Sequence, residues 1–281
     1  MPRRWCIQGG WALACFLPVI LLHAAPPTAD LRVEFERALA EFDEAQQIQL
    51  DRPDEARRLF QLAAQRFSSI IASGMVNGRL EFNLANCYLQ AGDVGRAVLH
   101  YRRAERLIPG DEMLDDNLAV ARSRCLTSIQ PTRRSAFSRS VFFWHYQTSV
   151  GGRTRTTLVL YVVFWGMLIV RNFVRRRSIA VSAIVCAVLA GASGISAGMS
   201  HWSDRNAPDG VVTAMDVVVY KGPGTGYQRQ FEQPLQPGVE FTLRKRRGDW
   251  CSIELVDDKS GWINVTQAEL VAPTAMQESK F

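Results

Sequence analysis

The chain has 281 residues, room for two domains rather than one enforced core. Hydrophobic residues at 47% and charged residues at 21% exclude a disordered, collagen-like or mucin-like chain, and six cysteines are too sparse for a disulfide scaffold. The net charge of +6 would suit nucleic acid only if basic and aromatic residues shared a face; most of the excess arginine instead flanks apolar segments.

Residues 1–24 read as a signal peptide. Arg3 and Arg4 form a basic start, and Trp11 to Leu22 is apolar but too short to cross a bilayer. Leu22-His23-Ala24 then offers a cleavage site before Ala25.

Residues 30–127 show helical periodicity, with breaks at Asp51-Arg52-Pro53, Ser73-Gly74, Gly92-Asp93 and Pro109-Gly110-Asp111. The spacing predicts five helices: Leu31–Gln49, Asp54–Ala72, Asn77–Gln90, Val94–Leu107 and Glu112–Arg124. Asn83-Leu84-Ala85 returns 34 residues later as Asn117-Leu118-Ala119. Within that period Leu84, Tyr88 and Tyr101 are the large packing residues. Ala85, Ala97 and Ala104 are small where helices cross, Gly92 turns the chain and Pro109 ends the unit. The pattern resembles the tetratricopeptide repeat, most specifically over residues 78–111. That resemblance implies a concave surface lined by the first helix of each unit, where Arg79, Asn83, Asn86, Gln90, Asn117 and Arg124 would meet a partner or merely solvate the helices.

Residues 128–155 read as an amphipathic connector. Phe137, Val141 and Trp144 share a face near Arg133, Arg134 and Arg139, suited to a bilayer interface or to packing as a linker. Two apolar runs follow, expected as transmembrane helices over 156–174 and 178–200. Arg171, Arg175, Arg176 and Arg177 crowd the turn between them, as in a cytoplasmic loop. With an exported N-terminus, this predicts a two-pass protein of a bacterial inner membrane with both soluble parts on the extracytoplasmic, periplasmic side. Ala183, Ala187 and Gly191, and likewise Ala190, Gly194 and Gly198, recur at four-residue spacing; such stripes favour tight hairpin packing or self-association in the lipid bilayer.

After Gly210 short β-rich runs predict strands at 211–213, 217–220, 240–243, 251–255 and 262–265. The turns contain Gly222-Pro223-Gly224, Pro237-Gly238, Gly248-Asp249 and Lys259-Ser260-Gly261. Residues 210–271 resemble the bacterial SH3-like domain, followed by a tail at 272–281. On that resemblance Trp250 and Trp262 are expected to pack the small barrel, with Gly261 allowing close strand approach.

The expected fold is therefore a multidomain membrane protein: all-α tetratricopeptide-like repeats, a two-helix transmembrane hairpin and a small all-β SH3-like barrel. This order of parts resembles the BatE-type proteins of the bacterial aerotolerance group. The resemblance implies a non-enzymatic scaffold or adaptor, with von Willebrand A-type membrane proteins and, indirectly, a MoxR-type ATPase as partners. The alternative expectation is a cell-envelope module that binds peptidoglycan peptides through the barrel.

The search for chemistry predicts no enzyme, metal, cofactor or nucleic acid. His23, His100, His145 and His201 lack Cys or Asp at ligand spacing, and Cys251 has no histidine in its domain. No phosphate-binding glycine loop occurs, and Asp115-Asp116 and Asp257-Asp258 read as solvated pairs. Cys87 and Cys125 could pair with one another or remain buried thiols.

Overall fold

The computed structural model describes residues 29–125, 148–174 and 176–272. The expected signal peptide, the connector up to residue 147 and the tail from residue 273 lie outside the described residues.

Five helices open the described chain: α1 (Ala29–Ile48), α2 (Pro53–Ala72), α3 (Gly78–Ala91), α4 (Val94–Leu107) and α5 (Glu112–Ser123). Their starts are chemically marked. Pro53 occupies the first turn of α2, where no backbone donor is needed. Asn77, Asp93 and Asp111 each accept a backbone N–H from the first turn of α3, α4 and α5. Gly92 closes α3 in the left-handed region at φ 88°, which lets Asp93 N donate to Tyr88 O at 2.9 Å.

Consecutive helices pack on one another in chain order. Phe60, Phe67, Leu84 and Tyr101 are fully buried, with Ala85, Ala97 and Ala104 at the close crossings, while Tyr88 is only half-buried. A buried aromatic or leucine of this kind contributes about 1.5–3 kcal/mol, so these residues dominate the helical core. Glu81 and His100 lie inside it as well. His100 Nδ1 and Glu81 Oε2 share a hydrogen bond of 2.7 Å, and the Tyr88 ring stacks on the imidazole at 5.3 Å.

Two long helices follow, α6 (Val150–Phe173) and α7 (Arg177–Asn206). Both are long and apolar enough to cross a membrane, over Gly151–Phe173 and Arg177–Ser203. Large side chains such as Val159, Trp165, Val185 and Leu189 face outward. Ala183 is buried against α6, and Ala187, Ala190 and Gly194 are half-buried. The two expected stripes are thus split: Gly191 and Gly198 are exposed, with nothing within 4 Å of an added Cβ. Helix α6 also begins earlier than the expected 156. The extra turn inserts Arg153 between the helices, where it donates to Ser196 Oγ at 2.7 Å and Ser200 Oγ at 2.9 Å.

The C-terminal part is a five-stranded antiparallel sheet: β1 (Asp209–Val212), β2 (Glu240–Arg247), β3 (Trp250–Leu255), β4 (Ser260–Asn264) and β5 (Ala268–Leu270), in the order β4-β3-β2-β1-β5. The run 217–220 is not one of these strands. Asp216 takes a positive φ of 51°, and the run then makes only isolated bridges, Val217 to Leu235 and Tyr220 to both Arg229 and Trp262. The fifth strand is Ala268–Leu270, too short for alternation to announce it.

Strand alternation decides which face the tryptophans pack on. Cys251, Ile253, Leu255 and Ile263 point into the core, which leaves Trp250 and Trp262 half-buried on the opposite face. The interior is filled by Val217, Val219, Leu235, Phe241 and their neighbours.

Candidate binding surfaces

The core of the sheet domain is tightly filled. Phe241, Leu243, Cys251, Ile263 and Leu270 leave a void of about 10 Å³, one water molecule at most. The outer face of β3 and β4 is a better candidate. Trp250 lies opposite Asn264 and Trp262 opposite Ser252, so both rings emerge on the same side. Tyr220 meets the Trp250 ring edge-on at 5.6 Å, and Arg247 sits 5.9 Å from the Trp262 ring centre. Tyr220 is held there by two backbone hydrogen bonds to Trp262, at 2.9 and 2.8 Å. Beside this group Arg244 pairs with Glu254, which holds that carboxyl below its usual range. The result is an aromatic surface with a cationic edge, suited to an extended ligand bearing apolar and anionic groups.

The six expected groove residues divide into two kinds. Asn86 and Asn117 meet: Tyr101 Oη–H donates to Asn86 Oδ1 at 2.5 Å, and Asn117 Nδ2 donates to the same oxygen at 3.0 Å. That cluster ties α3, α4 and α5 together, and desolvation drives the Tyr101 hydroxyl pKa upward. Arg79 pairs at 2.7 Å with Asp111, the cap of α5, and Arg124 reaches the Leu89 carbonyl at 3.4 Å. Asn83 and Gln90 are half-buried on the same face of α3 as Asn86.

A third surface is already occupied. The outer face of β1 docks on α4 and α5, and Val211 and Val271 join the helical core through it. Gly95 is buried in α4 because the turn crosses it closely: an added Cβ would lie 2.9 Å from Pro237 Cβ and 3.0 Å from Val212 O. Gly238, at φ +93°, seats that turn against Val94, Val98 and Cys125; a side chain there would collide with the Cys125 sulfur.

Charges ring the apolar contact. Arg102 pairs with Glu105, with Asp209 at 3.2 Å and with Glu240 at 3.1 Å. Arg122 also holds Glu240, at 2.6 Å, and Arg103 reaches Glu269 at 3.4 Å and Leu270 O at 3.0 Å. Burial alone would lower the pKa of Arg102, but Glu240, Glu105 and Asp209 raise it above the ordinary guanidinium value. None of these residues was among the expected site residues. Gly95 carried a signal, since a glycine inside a helical pattern asks for a packing reason.

The four described cysteines are free. Cys87 lies among α1, α2 and α3, whereas Cys125 packs under Gly238. Desolvation pushes the Cys87 thiol up to about 12 and the Cys125 thiol up to about 11. Both should therefore react slowly with a maleimide at pH 7.5, as read by peptide-level mass spectrometry. A thiol with a raised folded pKa holds its proton while the unfolded one ionises near 9. The Cys87 contribution thus weakens stability as pH rises from about 9 to about 12.

These features define a class: a helix-rich region and a small all-β domain joined through an apolar helical pair, with no cluster of metal-ligating side chains among the described residues. Residues 214–269 match the family model of the bacterial SH3 domain. Comparison with curated proteins and with solved structures gives no match.

Proposed function

We propose that the protein is a non-catalytic, membrane-anchored scaffold whose tetratricopeptide-like helices and SH3 domain lie on one extracytoplasmic side, in a BatE-like envelope complex. The observation that carries this reading is the docked face. Val211 and Val271 pack in the helical core, which supports a shared compartment for helices and sheet with an even number of crossings between them. The hairpin of α6 and α7 supplies two. The helical groove would then bind a protein partner, with von Willebrand A-type membrane proteins as the class that the family resemblance suggests.

Asn83 and Gln90 are the groove positions to vary, because no hydrogen bond among the described residues uses them as Asn86 is used. Capture of the full chain from detergent-solubilised membranes, with Asn83→Asp and Gln90→Glu introduced together, should lower partner recovery about tenfold. Unchanged recovery would reject the groove as the contact surface.

The aromatic face of β3 and β4 supports a second reading, recognition of peptidoglycan peptides. Retention of the detergent-solubilised full chain on isolated cell wall should then fall with Trp250→Ala. Retention that ignores this change removes the reading.

A further inference from the structure

The turn joining α6 to α7 is a concentrated positive charge. Arg171, Asn172, Arg176 and Arg177 line an open cavity of about 480 Å³, whose remaining walls are Leu168 and Ala180. Arg176 precedes α7 without a side-chain cap, so the first N–H groups of a 30-residue helix add partial positive charge at the same end. Guanidinium groups this close repel one another unless an anion intervenes.

The described residues offer no such anion. The chain contains no Asp or Glu between Asp116 and Asp204. The helical region and the sheet both join the hairpin at its opposite end, roughly 30 Å away at a rise of about 1.5 Å per residue. Among the described residues, none is placed to supply the neutralising group.

A second cavity says what kind of molecule carries it. An apolar groove of about 530 Å³ runs between Leu158, Tyr161 and Phe164 of α6 and Ala187, Ala190 and Gly191 of α7. Tyr161, Phe164, Leu168 and Arg171 follow helical spacing on one face, as do Ala180, Ala187 and Gly191. Groove and cationic cavity thus lie on the same side of the hairpin, about one helical turn apart. The small residues of α7 give the groove its depth, and at Gly191 an added Cβ would meet nothing within 4 Å.

We propose that this face holds an anionic phospholipid, with the phosphodiester among Arg171, Arg176 and Arg177 and an acyl chain along the groove. The proposal rests on the reading of α6 and α7 as a membrane-spanning pair. A free phosphate would leave the groove empty, and a zwitterionic lipid would bring its own cation into the arginine cavity.

The test uses the full chain in detergent micelles, followed by native mass spectrometry with phosphatidylglycerol, phosphatidylcholine or inorganic phosphate. Phosphatidylglycerol should bind at least tenfold more tightly than either. The combined variant Arg171→Gln, Arg176→Gln, Arg177→Gln should erase the preference over phosphatidylcholine. Gly191→Leu, which fills open space, should weaken phosphatidylglycerol several-fold while leaving phosphate unchanged. Equal retention of the two lipids, or an unaltered preference in the arginine variant, overturns the site. Alkaline carbonate extraction separates the underlying readings: a chain released from membranes refutes the spanning pair. A chain that stays but shows no lipid preference refutes the lipid site alone.

Discussion

Val211→Asp should detach the SH3 domain from the helices while each part stays folded. Val211 is completely buried in the helical core, and its register partners across the sheet are Glu240 and Glu269. A carboxylate there loses about 1.5–3 kcal/mol of apolar burial. It also faces two like charges on the same side of the sheet and has no cation of its own, which brings the total to about 3–5 kcal/mol. Calorimetry should show one unfolding transition of the soluble parts becoming two, and hydrogen exchange should rise along α4 and α5. Cys125, released from beneath Gly238, should react with maleimide at least tenfold faster, whereas Cys87 should not change. A single undisturbed transition would mean that the docked face carries little energy.

Gly95→Ala sharpens this expectation because two effects oppose each other in sign. Inside a free helix alanine is better than glycine by about 1 kcal/mol. Against the docked turn the same methyl lies 2.9 Å from Pro237 Cβ and 3.0 Å from the Val212 carbonyl, and backbone cannot move aside as a flexible side chain can. Steric cost should win, so the variant should be destabilised. A stabilised Gly95→Ala would show that the turn does not rest on α4. The ion pairs around the seam are partly exposed, so raised salt should weaken docking only modestly.

The legibility of this chain followed the range of the interactions involved. Helix limits were readable to within one or two residues because caps and breakers are local: Pro53, Asn77, Asp93 and Asp111 sit where backbone donors need them. The apolar helices were readable from length and composition, although Arg153 hid the true start of α6 by finding serines on α7. In the sheet, the alternation of Cys251, Ile253 and Leu255 is a local signal that puts Trp250 on the outer face. The docked face was not legible. It depends on Arg102, Arg103 and Arg122 meeting Asp209, Glu240 and Glu269 across more than a hundred residues, and no local pattern encodes such a pairing. The expected groove was half legible: Asn83 and Asn117 are the equivalent positions 34 residues apart, but Asn117 donates to Asn86, and that hydrogen bond serves the fold.

The Glu81–His100 pair offers the second large effect, and it tests what a buried polar contact is worth here. Both side chains are almost wholly buried, 2.7 Å apart, on helices α3 and α4. Glu81→Leu alone leaves His100 Nδ1 without its partner in an apolar surround, and His100→Leu alone strands the carboxyl group. An unpaired buried polar group costs about 1–3 kcal/mol, so each single change should destabilise the helical region by about that much. Replacing both together removes both orphans and substitutes apolar volume, so the double variant should cost less than either single change. The cycle is read from urea denaturation of the full chain in micelles, followed through helical circular dichroism. Strict additivity would mean that the two groups find other partners once separated. A double variant as stable as the parent would show that the pair adds orientation between α3 and α4 rather than net stability. The Tyr88 ring stacked on His100, with Arg96 5.7 Å from the ring centre, should then lose its fixed position even though the helices still fold.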